Sequence, residues 1–592
     1  MALQMGRQNV VWQLEADGGR RVVRGVLIAL FAVSMATLYG SMNFQGLKDA
    51  RPMEMAQAAR VWAETGTFGT QCLRPLALGV EKEPAAVIQK GHLEDVSDET
   101  GAGTAWVDDG GPETIHHDLM HPPLWPAALA AWFKVAGAPV PTSQNETWTF
   151  SGDWVPVVLN YLFVLLGAAM AGCVARRLFD ERVATLTQVS FLLSNVVWRR
   201  ATDGGEWSLA VFLGLAALAA GVRAAEPLED ERAEWSRWAW AVVAALATAG
   251  AFLTRYACGF VAVALFCLLG TARQPRSWVR ACAYLLVAGL AVVPWVARNL
   301  AVCGSPFGLL GLEMLDGTIL YRDGILMRSP APELASVASL VTAVQLKMIA
   351  NLREFSHGLP GWGGCGALLA LFGAMYWHRL HRPVSKALRW CLLPAVAALA
   401  VGASMFSGDS MNALLVLWPV AAAYGWAFLL LLLDRLQLES RIPAAMAVAA
   451  VAGLTALPTV LEVIPPKTGL TYPPYFHRYA GWVGSLMEDG EWLATDMPWA
   501  TAWYAGRTSV LLPDSVDSFY EFHEKTHPFA MAYFTLLTFN RPWMRDLAAP
   551  NAPEGDWYQI LRDGRVPKDF PLPYGHFIVG GDQFLLSDRQ RW

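Results

Sequence analysis

Apolar runs bounded by short polar or basic stretches recur along most of the chain. They fall at about 25–41, 153–175, 183–198, 207–222, 238–253, 257–271, 281–297, 361–377, 388–405, 412–433 and 443–462. A helix rising about 1.5 Å per residue crosses a bilayer core of about 30 Å in roughly 20 residues. The runs therefore predict a polytopic α-helical membrane protein of about 11 spans, several near the lower length limit. A further apolar piece, Leu124 to Val135, is headed by Pro122, Pro123 and Pro126, residues suited to a first helical turn because no N–H is missed there. It is expected as a surface-lying or re-entrant helix.

Arginine and lysine fix an orientation, since short cytoplasmic loops carry the excess of positive residues. Arg20, Arg21 and Arg24 precede the first run, and every second connection is again basic: Arg176, Arg177 and Arg182; Arg223, Arg232 and Arg237; Arg273, Arg276 and Arg280; Arg379, Arg382, Lys386 and Arg389; Arg435 and Arg441. The N-terminus is predicted inside and the C-terminus outside. Counting Leu124 to Val135 as a span would invert every later loop, which is why it is read as non-crossing.

Past Pro465-Pro466 the pattern changes to that of a soluble domain. Short strands near Trp492 to Ala494, Ser509 to Leu512 and Phe577 to Gly580 alternate with helical segments at Ala500 to Ala505 and Ser515 to Glu524. That order suits an α/β unit with a parallel sheet. The expected organisation is a transmembrane domain at 1–464, with outer loops at 42–152 and 298–360, and an extracytoplasmic α/β domain at 465–592.

Composition agrees with a membrane protein: 54% of residues are hydrophobic and only 16% charged, against about 25% charged in soluble domains. The net charge of −5 gives no case for nucleic acid. The eight cysteines form no disulfide framework or Cys-x-x-Cys pattern, and no Gly-rich phosphate loop is present. Glu94, Asp95, Asp98, Glu99, Asp108, Asp109 and Glu113 lie in a Gly-rich stretch expected as a solvated insertion.

The remaining charge gathers on one side of the predicted membrane. Asp49 and Glu54, just beyond the first span, are candidate general bases for an acceptor hydroxyl. From spacing alone Glu54 also fits an acid in a first helical turn, where it favours the helix dipole, and Asp49 a helix cap. The outer turn Arg199 to Glu206 offers Arg200 for phosphate and Asp203 to orient a sugar or acceptor, with interfacial anchoring and capping as the plainer readings. Arg255 and Arg298, at outer span ends, are further phosphate candidates, though charges there often only snorkel. His121, before the Pro-Pro pair, is a candidate donor to a leaving phosphate. His116, His117 and Asp118 are weak metal candidates, because their spacing fits no specific ligand signature.

In combination these segments resemble a known group. Phe44 to Leu47, Met53-Glu54-Met55-Ala56-Gln57-Ala58-Ala59-Arg60, Gly66-Thr67-Phe68-Gly69-Thr70 and Arg74-Pro75-Leu76 are similar to the first outer loop of bacterial membrane glycosyltransferases of the GT-C fold. That group is glycosyltransferase family 39-like and includes protein O-mannosyltransferases and the aminoarabinose transferase of lipid A. Later signposts follow in order: His121-Pro122-Pro123-Leu124, Arg176-Arg177-Leu178-Phe179, Asp203, Leu253-Thr254-Arg255-Tyr256, Pro294-Trp295 with Arg298-Asn299, Gly304-Ser305-Pro306-Phe307 and Trp503-Tyr504-Ala505-Gly506-Arg507.

The resemblance implies an inverting transferase of the bacterial inner membrane, its active site on the extracytoplasmic face. It would move a sugar from a polyprenyl-phosphate lipid to an acceptor that is a lipid, a polysaccharide or a protein. No cofactor is required, and a divalent metal is compatible with the chemistry. The first-loop acid is the implied base, and Asp203 matches a second required aspartate. Two departures stand out: relatives commonly carry lysine where this chain has His121, and Asp49 lies further from Ala59-Arg60 than the usual acid. The rival class is a lipid or lipid-linked-sugar transporter. Such proteins usually place ionisable groups at mid-membrane, whereas the span interiors here are almost free of them.

Overall fold

The computed structural model describes residues 17–88, 91–98, 101–108, 113–141, 149–227, 232–464 (without 273, 323, 359–361, 363, 365, 407–409 and 438–439), 477–539, 557, 560–561, 566, 569–578 and 583–592. The composition break at Pro465-Pro466, Glu99, Asp109 and the end of the strand expected at Phe577 to Gly580 lie outside them.

Helix α1 (Asp17–Asn43) leads into the first loop, which holds α2 (Ala50–Thr65), β1 (Gly69–Thr70), β2 (Cys72–Leu73), α3 (Pro75–Val80), β3 (Ala86–Ile88), β4 (Gly91–Asp98), β5 (Gly101–Asp108), β6 (Glu113–His117) and α4 (Leu124–Ala136). The helical bundle continues with α5 (Trp154–Leu178), α6 (Glu181–Leu193), α7 (Asn195–Thr202), α8 (Trp207–Ala225), α9 (Arg232–Thr254), α10 (Phe260–Thr271) and α11 (Ser277–Cys303). After the short α12 (Leu310–Glu313) come α13 (Val337–Gly358), α14 (Gly366–Ala374), α15 (Pro383–Ser404), α16 (Trp418–Arg435) and α17 (Arg441–Val463).

Among the described residues helix is found in each of the predicted spans, but only seven segments are long and apolar enough to cross a membrane: Val22–Asn43, Ser151–Leu178, Trp207–Ala225, Glu234–Thr254, Ser277–Cys303, Pro383–Ser404 and Arg441–Val463. The other expected spans are shorter or broken. The run at 183–198 is interrupted at Ser194, whose backbone is extended (φ −75°, ψ 121°). Two carbonyls beside the break are taken by side chains, Leu192 by the Trp198 indole at 2.6 Å and Leu193 by the Thr459 hydroxyl at 2.5 Å. A break inside an apolar bundle is tolerated only when its backbone groups are satisfied in this way. The run at 412–433 begins as a 3-10 turn, Ser410–Val416, before α16.

The basic helix ends lie together. Arg176 pairs with Glu181 at 2.6 Å, Arg177 with Glu226 at 3.2 Å, and Arg382 donates to the Arg177 carbonyl at 3.1 Å. Side chains on the outer faces of the bundle, such as Leu30, Leu290, Leu457 and Leu461, are exposed, as lipid-facing positions would be.

Helix α4 lies along the loop helix α2. Trp125, Leu129 and Phe133 pack against Met53, Ala56, Ala59 and the tail residue Trp503. The acidic Gly-rich stretch, expected as a solvated insertion, pairs β4 with β5 as an antiparallel hairpin.

The tail contains α18 (His477–Ser485), β7 (Trp492–Thr495), α19 (Pro498–Ala500), β8 (Ser509–Leu511), α20 (Val516–Lys525), β9 (Phe529–Phe534), α21 (Leu536–Phe539), β10 (Tyr574–Phe577) and β11 (Phe584–Ser587). Its six-stranded sheet runs β10-β11-β9-β7-β8-β2. The expected parallel arrangement holds for β9-β7-β8-β2, while β10 and β11 add antiparallel strands. The edge strand β2 belongs to the first loop, so loop and tail share one sheet. The helical segment expected at Ala500 to Ala505 is present as a π-helix, Thr501–Ala505, continuing α19.

Candidate functional site

A cavity of about 1390 Å³ opens where the first loop meets the outer ends of the bundle helices. Its floor is apolar, formed by Phe260 and Val263 on α10, Leu285, Val292 and Val293 on α11, and Leu399 on α15. Its upper wall carries five basic groups, Lys48, Arg51, Arg199, Arg200 and Arg255, and five acidic ones, Asp49, Asp203, Glu206, Glu313 and Glu462. Gly289 and Gly402 line it too, and a Cβ added at either meets nothing within 4 Å, so these glycines border open space.

Asp49 stands at the N-cap of α2 (φ −92°, ψ 144°), yet its side chain makes no capping hydrogen bond. Instead it is 55% exposed, with one oxygen 3.8 Å from the Arg200 guanidinium. The same guanidinium pairs with Asp203 at 3.1 Å. Asp203 closes α7, and the turn that follows needs Gly204, whose φ is +79°. A Cβ at Gly204 would come within 2.5 Å of Leu47, so the Asp203 turn packs directly against the segment leading to Asp49.

That segment is fixed from its other side by Asp153. Buried to 1% exposure, Asp153 accepts from the Leu47 amide at 3.1 Å, the Trp503 indole at 2.7 Å and the Tyr504 hydroxyl at 3.0 Å. Arg60 on α2 donates to the carbonyls of Trp503 and Ala502 at 2.8 and 2.6 Å. The tail motif Trp503-Tyr504 thus holds the segment that carries Asp49.

Arg255 also faces the cavity, lying 4.2 Å over the Trp207 ring and pairing with Glu206. Arg51 reaches the same Glu206 oxygen at 2.9 Å. Burial favours the protonated form of Glu206, but Arg51 and Arg255 outweigh it and hold the carboxyl down at about 2.

Glu54, His121, Arg298 and the His116 group fall elsewhere. Glu54 is 4% exposed and paired with Arg74 at 2.6 Å. His121 bonds it through Nε2 at 3.1 Å and reaches Asp118 through Nδ1 at 2.9 Å. Burial opposes every charge in this chain of groups, yet the partners win. Arg74 and His121 keep Glu54 below its ordinary range. Asp118 is drawn down to about 2 by His121 and the amides of Met120 and His121, and His121 is raised to about 9 by Asp118 and Glu54. These groups surround only a small crevice and none of them lines the large cavity. Arg298 is occupied by His117 Nδ1 at 3.0 Å, the Asp118 carbonyl at 3.0 Å and Asn299 at 2.8 Å, tying α11 to the first loop. His116 turns to Glu81 at 2.7 Å while Asp118 turns to His121, so His116, His117 and Asp118 do not converge. Among the described residues, no group of three or more His, Cys, Asp or Glu side chains is arranged to hold a metal ion.

Of the sequence candidates, the structure brings Asp49, Asp203, Arg200 and Arg255 to one cavity and leaves Glu54, His121 and Arg298 outside it. Sequence reasoning assigned no role to Arg51, Glu206, Arg74 or Asp153. Each acts through a partner distant in the chain, and a lone charged residue at a helix end carries no signal of that.

No family model matches the chain, and no curated protein matches it in sequence. Solved structures do match in fold. One is the oligosaccharyltransferase of Archaeoglobus fulgidus in complex with Zn and sulfate, at 12% identity over 89% of this chain and 69% of that one, TM-score 0.57. Another is the archaeal oligosaccharyltransferase AglB from A. fulgidus in complex with an inhibitory peptide and a dolichol-phosphate, at 11% identity over 95% and 74%, TM-score 0.56. A third is ArnT from Cupriavidus metallidurans bound to undecaprenyl phosphate, at 13% identity over 95% and 98%, TM-score 0.54. The chain is a multi-pass membrane protein with the GT-C fold and a sheet-containing C-terminal domain.

Proposed function

We propose that this protein is an inverting glycosyltransferase that takes a sugar from a polyprenyl-phosphate donor and passes it to an acceptor hydroxyl on the extracytoplasmic side of the membrane. The observation that carries the reading is the two-part cavity. An apolar floor on α10, α11 and α15 suits an isoprenoid chain, and directly above it stand an exposed carboxylate, Asp49, and the guanidinia of Arg51, Arg200 and Arg255. Two of the fold relatives are described with dolichol-phosphate and undecaprenyl phosphate, which supports the same ligand class here. The arginine-rich helix ends lie at the opposite end of the bundle from Asp49 and Asp203, which under the positive-inside rule supports an extracytoplasmic cavity.

In the proposed reaction Asp49 takes the proton of the acceptor hydroxyl as its oxygen attacks the anomeric carbon. The bond from that carbon to the phosphate oxygen breaks on the opposite face, and its electron pair leaves with the lipid phosphate. Asp203, through Arg200, fixes the distance between base and cation. Zn appears with one fold relative, but the proposed steps use only this chain's side chains.

The test is transfer from polyprenyl phosphate carrying a labelled hexose or pentose, with purified full-length protein in lipid nanodiscs. Label appearing in an acceptor fraction together with free polyprenyl phosphate supports the reading. Binding or movement of the lipid-linked sugar across the bilayer with no bond cleavage, for every donor offered, would establish the transporter instead.

A further inference from the structure

The cavity wall carries equal numbers of acidic and basic groups, so recognition of an anion must depend on where particular cations are held. One place meets that condition. Arg51 Nε and Arg255 Nη1 both donate to a single oxygen of Glu206, a carboxylate only 1% exposed. Each guanidinium has five N–H donors, and among the described residues the rest of those on Arg51 and Arg255 meet no protein acceptor. The face of Arg255 is fixed on Trp207, and Arg51 is fixed in the first turn of α2, within one turn of Asp49. Two planar forks, held close by a shared counter-ion and lining a cavity with an apolar floor, suit a phosphate ester attached to a hydrocarbon chain.

We infer that Arg51 and Arg255, tethered by Glu206, form the receptor for the phosphate of the lipid donor, and that Arg51 provides the cation for which His121 was the sequence candidate. This rests on the polyprenyl-phosphate reading above. His121 cannot serve, because both its ring nitrogens are engaged, by Glu54 and Asp118, and it is 3% exposed. Arg298 is likewise occupied, by His117, Asp118 and Asn299. As the anomeric carbon–oxygen bond breaks, the electron pair settles on the phosphate, where the two forks strengthen their hydrogen bonds to it. Glu206 touches neither donor nor acceptor. It is a positioning residue that holds two mutually repelling guanidinia within reach of one phosphate.

The experiment compares binding of undecaprenyl phosphate and of undecaprenol to the full chain in nanodiscs, for wild type, Arg51→Ala, Arg51→Lys and Glu206→Gln, with a melting temperature for each. Wild type is expected to prefer the phosphate. Arg51→Ala should lose roughly ten- to a hundredfold in phosphate affinity, the range of one or two charged hydrogen bonds, with undecaprenol binding unchanged. Arg51→Lys, a point charge without the fork, should recover only part of the loss. Glu206→Gln should lower the phosphate-to-alcohol ratio several-fold, a readout that mere packing would not move. If wild type prefers the phosphate and both Arg51 variants keep the full preference, the receptor is wrong and the donor reading stands. A wild type that binds lipid alcohol and lipid phosphate alike overturns both.

Discussion

Asp49 and Glu54 sit little more than one helical turn apart, and the sequence offers either as the base, yet the fold places them in opposite surroundings. The Asp49 side chain is 55% exposed in the wall of a cavity, with a single guanidinium 3.8 Å away. The Glu54 side chain is 5% exposed and has both oxygens committed, one to Arg74 and one to His121. A carboxylate already saturated by two cations has little basicity left for an incoming hydroxyl and no room to meet one. The lesson is that an acid near a membrane surface becomes a reaction centre through what is left open around it, and becomes a structural group when its partners close it off.

The sealed cluster is where the largest effect is expected. Glu54→Ala strands Arg74 and His121 with reduced compensation inside the loop core, and breaking a buried pair in this way costs about 3 to 5 kcal/mol. The check is a melting curve, on which Glu54→Ala should lose far more than Asp49→Ala, since Asp49 is exposed. Equal losses would erase the distinction between the two acids.

Titration sharpens the same contrast. His121 is raised from an ordinary value of 6.5 to about 9, so its stabilising charge is fully present below pH 6.5 and is lost as pH climbs through 9. Linkage puts the loss on the order of 3 kcal/mol. Asp118, drawn from 3.8 to about 2, contributes with the opposite sign: its share is present above pH 3.8 and vanishes as pH falls through 2. Both describe one pair and are counted once. Melting temperature should fall progressively between about pH 6.5 and 9 and level off above that, and His121→Gln should flatten that limb.

A smaller effect is expected at the link between tail and loop. Asp153→Ala removes the carboxylate that accepts from the Leu47 amide, the Trp503 indole and the Tyr504 hydroxyl, a loss of about 2 kcal/mol after partial relaxation. Because Leu47 also packs on the Asp203 turn, turnover per folded molecule should drop more than donor binding does. Unchanged turnover in the folded variant would remove the tail from the positioning of Asp49.

Least disruptive is Gly289→Leu. The position borders open space within α11, and leucine is the better helix former by roughly 0.7 kcal/mol, so the helix should survive. The new side chain projects into the apolar floor and should weaken lipid-donor binding by about tenfold, a loss of about 1.4 kcal/mol in a direct binding assay.

Hydropathy made the bundle legible because lipid-facing and interhelical positions are both apolar, so each span reads as a run whatever its neighbours. Tail strands such as Trp492 to Ala494 were legible for a related reason, as short apolar runs between turn residues. Six consecutive buried residues, Phe529–Phe534, have no alternation to mark them as a strand, and the two residues of β2 are too few to show a pattern. Ser194 carries no Gly or Pro signal, and the break there depends on Trp198 and on Thr459 from α17. In the candidate site Asp203 was legible from its Gly-rich turn. The pairing of Arg51 with Glu206 was not, since a single sequence records which charges exist but not which of them meet.

The most direct measurement is sugar transfer per folded molecule, with donor binding measured alongside, for Asp49→Asn and Glu54→Gln in nanodiscs. Asp49→Asn is expected to keep donor binding and lose turnover by roughly a hundred- to ten-thousandfold, the usual worth of a positioned base. Glu54→Gln should melt earlier but turn over within a few-fold of wild type while folded. Normal turnover by Asp49→Asn beside an inactive, fully folded Glu54→Gln would contradict the assignment of Asp49 as base.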